Sequence, residues 1–254
     1  MADEIVKLEL AAPVATITLN RPPVNAIDQS YVDGWIAALE ALEARQDIAV
    51  VHIRSTAKVF CAGADLAVMR GLVATPQGCE RMIELIRKYQ RVLDRIETLG
   101  AVTLVELGGA ALGGGFELAL ACDLRVASQT AKLGLPEAGL GLIPGAGGTQ
   151  RLTRICGEAV ARRVILTAEV IDGQTAAGLG MVHFAQPADQ LQAWTSNLVQ
   201  RIGKLSPQAL AACKRCIATA GSTVVDGYEM ELQETRMLYG DADSQRRIHA
   251  FLNR

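Results

Sequence analysis

The stretch Gly108–Arg151, GGAALGGGFELALACDLRVASQTAKLGLPEAGLGLIPGAGGTQR, decides how this chain is read. Within it Glu117 is the only charged residue between Glu106 and Asp123, and Glu137 is the only one between Lys132 and Arg151. A carboxylate among glycines and aliphatic residues is costly to ionise, so its pKa rises toward the range useful for proton transfer at neutral pH. Two such groups in one segment point to acid/base chemistry. The residues just before, Ala101–Leu107 (AVTLVEL), read as a short buried strand broken by Gly108 and Gly109, and Phe116–Cys122 (FELALAC) reads as a short helix that is apolar nearly all round. Gly113-Gly114-Gly115 then falls at a strand-to-helix junction, where unpaired first-turn N–H groups and the helix dipole favour a developing negative charge. With no side chains there, a ligand atom can approach the backbone closely, as an oxyanion hole requires; a tight turn alone would use the same glycines.

Upstream, Val6–Leu10 and Val14–Leu19 alternate in polarity and form a hairpin about Ala11-Ala12-Pro13, while Asn20–Asn25 (NRPPVN) is a loop, because prolines cannot extend a ladder. Gln29–Arg45 carries Val32, Trp35, Ile36, Leu39 and Leu42 at helical spacing, and Ala49–Ile53 (AVVHI) returns as a strand. This β-α-β order implies a right-handed crossover and a parallel pair. The following turn, FCAGADL over 60–66, contains Asp65, a good helix N-cap, and by itself reads as an ordinary βα loop with a capped helix. Residues 77–98 are strongly helical. A second β-α-β unit therefore brings the Ala62–Asp65 and Gly113–Gly115 loops to one sheet edge, where parallel α/β folds place their ligands. From about Gly157 onward the pattern is helical, over Gly157–Thr167, Pro187–Leu205, Ser206–Ala220 and Val225–Tyr239.

Composition narrows the function classes. With 254 residues, 50% hydrophobic and 20% charged, the chain is globular and long enough for a substantial core. A formal net charge of −2 gives no electrostatic footprint for nucleic acid or anionic membrane. No run approaches the roughly 18 apolar residues of a membrane span, and Met1–Leu10 alternates charged and apolar residues, so a soluble, cytoplasmic protein is expected. The six cysteines are scattered, as for reduced, packed thiols, and the Cys213-x-x-Cys216 pair lacks the second pair or nearby histidine that zinc needs, so no metal site is assigned. His52, His183 and His249 read as structural, and without a serine in a G-x-S-x-G context a triad hydrolase is not expected. Gly145–Gln150 (GAGGTQ) fails the dinucleotide fingerprint at its sixth position. Asp123 reads as a cap or as a link to Arg125 or Arg151.

Three ordered motifs, FCAGAD at 60–65, ALGGGFELALACD at 111–123 and PEAGLGLIPGAGGTQRL at 136–152, together resemble the crotonase family, specifically its enoyl-CoA hydratases. LNRPPVNA at 19–26, ILTAEVI at 165–171, AAGLGMV at 176–182 and Ala250-Phe251-Leu252 extend the resemblance over essentially the whole chain. It implies an α/β fold with a spiral core of ββα units over residues 1–195, carrying the active site, and a C-terminal helical region over 196–254 that makes a homotrimer or a dimer of trimers. By the same resemblance, Glu117 and Glu137 are the catalytic acids and the amides of Ala64 and Gly114 hold a thioester oxygen. Ala62, Asp65, Leu66, Gly113, Phe251 and Arg254 are then the expected substrate contacts. Coenzyme A would be part of the acyl-CoA substrate, with no separate cofactor, and neither nucleic acid nor membrane is an expected partner.

Where many members carry Asn-Gly ahead of the glycine triplet, this chain has Gly108-Gly109, a departure that touches no catalytic position. Gly145–Gly148 reads equally well as a turn shaping the acyl end of the pocket and as a helix N-terminus before Gln150. Arg70–Glu80, a variable wall of the acyl pocket in this family, gives no chain-length signal. Two other readings stand beside a hydratase. An enoyl-CoA isomerase of this family keeps a Glu137-like acid but needs no partner at Glu117, and a non-catalytic RNA binder is disfavoured by the acidic charge balance.

Overall fold

The computed structural model describes residues 4–253. Alternation makes the first two strands, β1 (Val6–Ala11) and β2 (Val14–Leu19), which pair antiparallel from Val6 opposite Leu19 to Ala11 opposite Val14. Helix α1 (Gln29–Glu43) is capped by Asp28, whose side chain accepts from the Tyr31 amide, and buries Tyr31, Val32, Trp35, Ala38, Leu39 and Leu42 along one face. It ends two residues short of the expected Arg45, and strand β3 (Val50–Ser55) then lies parallel to β2. Next come α2 (Leu66–Leu72) and α3 (Pro76–Thr98), each capped by the residue before it, Asp65 and Thr75. Strand β4 (Val102–Leu107) pairs parallel with β3, completing the second crossover.

The middle of the chain alternates between two sheets. After β5 (Ala111–Leu112) and α4 (Gly114–Ala121), strand β6 (Leu124–Ser128) joins β4. Strand β7 (Lys132–Gly134), a 3-10 turn over Pro136–Leu140, α5 (Gly148–Leu166) and β8 (Val170–Asp172) follow, with β5, β7 and β8 forming a small three-stranded sheet that periodicity did not reveal. Helix α6 (Gly173–Gly178) leads to β9 (Phe184–Gln186), the last strand of the six-stranded sheet, whose order is β1-β2-β3-β4-β6-β9. The helix expected from Gly157 instead begins at Gly148, and Gly157 itself is a kink at φ 80° within it.

Four helices close the chain: α7 (Leu191–Gly203), α8 (Pro207–Ala218), α9 (Gly227–Gly240) and α10 (Ala242–Leu252). Helix α7 buries Leu191, Leu198, Val199 and Ile202 against Val50, Val102, Leu104 and Val126 of the main sheet, so a division between residues 195 and 196 would cut an element that belongs to the core. Helices α8 to α10 differ. They bury little beyond Ala212 and Glu234, while Tyr228, Leu232, Met237 and Tyr239 stand exposed. No helix among the described residues is long and apolar enough to cross a membrane.

One polar clamp holds the helical region to the sheet. Asp123, at the start of β6, pairs with neither Arg125 nor Arg151. Its Oδ2 accepts from the Thr103 amide (2.7 Å), the Thr103 hydroxyl (2.9 Å) and Nζ of Lys214 on α8 (2.6 Å). Arg125 is turned to the carbonyls of Cys122 and Met181, and Arg151 to Asp94 and Glu97, so both guanidinium groups are already engaged. His183, which precedes β9, accepts the Arg125 amide on Nδ1, and burial holds its pKa down at about 4, so it is a neutral structural group. Substituting Asp123 by Ala takes the acceptor from the Thr103 amide and hydroxyl and leaves Lys214 only the Ala101 carbonyl, and we expect a loss of about 1–3 kcal/mol in urea unfolding with an unchanged m-value.

Candidate active site

The loops that follow β3 and β4 are tied together by backbone pairing. The Cys61 amide donates to the Ala110 carbonyl (3.1 Å) and the Leu112 amide to the Cys61 carbonyl (3.0 Å). On its other side the first loop is held by Asn25, whose buried Nδ2 donates to the carbonyl of Phe60 at 2.8 Å. Ile27 brackets Ala64 as in a parallel ladder: its amide donates to the Gly63 carbonyl and its carbonyl accepts from the Asp65 amide, both at 2.9 Å. That register turns the Ala64 N–H away from Ile27. Among the described residues it has no acceptor.

Gly114 arrives at the same place from the second loop. The Gly113 amide donates to the Gly134 carbonyl (3.0 Å), and the Gly113 carbonyl accepts from the amides of Phe116 and Glu117 (2.8 and 2.9 Å). The amide of Gly114, first residue of α4, is left unpaired among the described residues, at the positive end of the helix dipole. The loops are in contact, since a methyl group on Gly63 would sit 3.4 Å from the Gly114 nitrogen. Tyr89 of α3 fixes the turn from behind by donating its hydroxyl to the Gly114 carbonyl at 2.9 Å. A methyl group at Gly114 would stand 2.7 Å from Ile27 Cδ1, so glycine lets the Ile27 side chain pack directly against this turn.

Both glutamates face this junction. Glu117 is 3% exposed, and its Oε1 accepts from the amides of Ala146 and Gly148, each at 2.7 Å. Its Oε2 receives no hydrogen bond from the described residues and lies 3.9 Å from where a Gly114 methyl would stand. Glu137, on the 3-10 turn, puts Oε1 2.9 Å from where a Gly113 methyl would stand, and its Oε2 is buried with no partner among the described residues. Burial drives the Glu117 carboxyl up to about 7; the Glu137 charge adds to this, while the Gly148 and Ala146 amides and Arg151 oppose it. The Glu137 carboxyl is also raised, chiefly by burial. Two buried carboxyls with raised pKa values thus sit beside a pair of free amides, an arrangement able to exchange protons with a substrate whose oxygen is gaining charge.

The remaining expected contacts divide. Ala62 lies on the first loop, its amide donating to the Val24 carbonyl (3.0 Å), and Gly113 is the residue preceding α4. Asp65 is a helix cap, accepting from the Ala67 and Val68 amides, with Arg21 3.5 Å away, so its carboxylate is already used by structure. Leu66 opens α2 and is 60% exposed beside that loop. Phe251 lies on α10, which packs against α9, and is 72% exposed; Arg254 lies outside the described residues. Sequence reasoning missed the Ala146 and Gly148 amides as the donors that hold Glu117. The GAGG run was the available signal, and the turn does start a helix, α5, with Gly147 at φ 102°. What local sequence cannot supply is the acceptor, some thirty residues upstream.

Comparison with known proteins identifies the family. Residues 9–254 match the enoyl-CoA hydratase/isomerase family. The chain is 36% identical over 241 residues to a probable mitochondrial enoyl-CoA hydratase 2 of Arabidopsis thaliana, covering 94% of this chain and 78% of that one. It is 34% identical over 246 residues to an enoyl-CoA isomerase/hydratase of Mycosarcoma maydis, covering 92% and 88%. The crystal structure of an enoyl-CoA hydratase from Bacillus anthracis superimposes with a TM-score of 0.90 at 30% identity, over 98% of this chain and 96% of that one. Fold and site define an α/β protein of the crotonase type. The chain belongs to the enoyl-CoA hydratase/isomerase family.

Folding raises the Glu117 pKa from its usual 4.5 to about 7, so the folded state binds this proton more tightly than the unfolded chain. The resulting stabilisation is complete below pH about 4.5 and is lost as pH rises through 7. We therefore expect the stability of the wild type, measured against Glu117→Gln by urea unfolding, to fall by about 3 kcal/mol between pH 4.5 and 8. A difference that stayed flat or grew with pH would contradict the assigned shift.

Proposed function

We propose that this protein hydrates trans-2-enoyl-CoA thioesters to 3-hydroxyacyl-CoA. The observation that carries the reading is the pairing of two raised carboxyls, Glu117 and Glu137, with the unpaired amides of Ala64 and Gly114. In this reading the two amides receive the thioester oxygen as it gains enolate charge. Glu117, held through Oε1, uses Oε2 to position a water and take its proton as the oxygen adds to the β-carbon, and Glu137 delivers a proton to the α-carbon. Donors aimed at a developing oxyanion in a dry site are worth roughly a hundred- to a thousandfold each, and a positioned acid or base about 10²–10⁴-fold. Coenzyme A enters as part of the substrate, and no separate cofactor is required. The relatives named as hydratases support the reaction class.

Isomerisation of an enoyl-CoA is the second reading, supported by the family description and by the isomerase/hydratase relative. The hold on Glu117 favours hydration: moving a double bond needs one acid to shuttle a proton, whereas adding water needs a second group to activate it. The exposed apolar side chains on α9 and α10 support a homotrimer or dimer of trimers, in which a second copy would cover them.

The test follows loss of conjugated-thioester absorbance with a series of 2-enoyl-CoA substrates. We expect turnover by the wild type, and a fall in kcat of about 10²–10⁴-fold in each of Glu117→Gln and Glu137→Gln, with KM little changed. Undiminished turnover in either variant would remove that residue from the mechanism. Interconversion of 3-enoyl-CoA and 2-enoyl-CoA without hydration would favour the isomerase.

A further inference from the structure

Arg151 is a buried cation to which the acid/base reading gives no part. Its side chain is 7% exposed, and its three nitrogens point three ways. Nη1 donates to the carbonyl of Ala146 (3.0 Å), Nη2 to Asp94 Oδ1 (2.6 Å) and Nε to Glu97 Oε2 (2.9 Å). The two carboxylates belong to α3, the helix that also carries Tyr89. Ala146 is thereby gripped at both of its polar backbone atoms: its carbonyl accepts from Arg151 and its N–H donates to Glu117. Two residues on, the Gly148 amide completes the hold on the same oxygen.

We propose that Arg151 is the positioning residue of the catalytic base, pinning the Ala146–Gly148 turn to α3 so that Glu117 Oε1 stays engaged and Oε2 stays aimed at the reacting water. The inference rests on the reading of Glu117 as that base. Geometry and charge act together here. The groups facing Glu117 are Glu137 from the 3-10 turn, Tyr89 from α3 and Arg151 from α5, and of these only Arg151 is positive. Its charge opposes the burial that raises the Glu117 carboxyl. A planar guanidinium can serve three acceptors in fixed directions, whereas a lysine ammonium supplies charge without the fork. The two contributions are therefore separable by substitution.

The experiment compares wild type, Arg151→Met and Arg151→Lys by 13C NMR titration of the Glu117 carboxyl, assigned with Glu117→Gln, and by the pH dependence of kcat/KM on a 2-enoyl-CoA. In Arg151→Met we expect the Glu117 midpoint and the acid limb of the profile to move to higher pH, and kcat to fall about 10- to 100-fold with KM within about threefold. Arg151→Lys should return the midpoint toward wild type and recover kcat only in part. A folded Arg151→Met protein with an unmoved midpoint and unmoved acid limb would overturn the proposal. If Arg151→Met does not fold, the double variant Asp94→Asn/Glu97→Gln, which removes charges from α3 and keeps the arginine, must lower kcat in the same direction; unchanged kcat there overturns the proposal as well. Should the wild type turn over no 2-enoyl-CoA at all, the hydratase reading fails, and the NMR midpoint still decides whether Arg151 controls Glu117.

Discussion

Two amides on one carboxylate oxygen are the contact from which the site takes its form. A glutamate 3% exposed in an apolar helix must find donors or give up its charge, and Glu117 does some of each: Ala146 and Gly148 hold Oε1 while burial keeps the carboxyl near neutrality. The contact brings the turn before α5 onto the first turn of α4. Oε2, the atom left free, lies 3.9 Å from where a Gly114 methyl would stand, and the Glu137 charge acts on the same carboxyl. Helix α3 closes the back of this assembly through Tyr89 on the Gly114 carbonyl and through Asp94 and Glu97 on Arg151.

The sheets supply the placement and the loops supply the chemistry. Parallel strands β3 and β4 end side by side, so the segments leaving them start from neighbouring points, and two backbone bonds between Cys61 and the Ala110–Leu112 segment keep them in register. Backbone amides suit this task because their direction is set by ladder geometry and does not depend on a side-chain rotamer. Close approach of the loops falls on the glycines: a methyl group on Gly115 would stand 2.3 Å from the Cys61 carbonyl oxygen.

Much of this was legible in the sequence, for identifiable reasons. Isolation of Glu117 and Glu137 among apolar residues announced their raised pKa values, and Asp65 caps α2 because a side-chain oxygen before a helical segment has free first-turn amides to accept from. Legibility ended where a partner lay far along the chain. Asp123 meets Lys214, 91 residues away, and the nearer arginines it was expected to pair with are spent elsewhere. Strands of two and three residues, such as β5, β7 and β8, are too short to show a period, and the GAGG turn gives no hint of the carboxylate it holds. Phe251 illustrates the opposite limit: its motif match is local, while the residue stands 72% exposed on a helix that packs on the neighbouring α9.

In the proposed reaction, amides from two loops converge on one carbonyl oxygen beside a pair of acids with raised pKa values. The most direct measurement is the infrared difference spectrum of a 2-enoyl-CoA, 13C-labelled at its thioester carbonyl, bound to the Glu117→Gln/Glu137→Gln protein. A carbonyl stretch moved to lower wavenumber than in water is the result this account requires. A stretch at or above its position in water would mean that the Ala64 and Gly114 amides do not meet the substrate oxygen, and the account would fail.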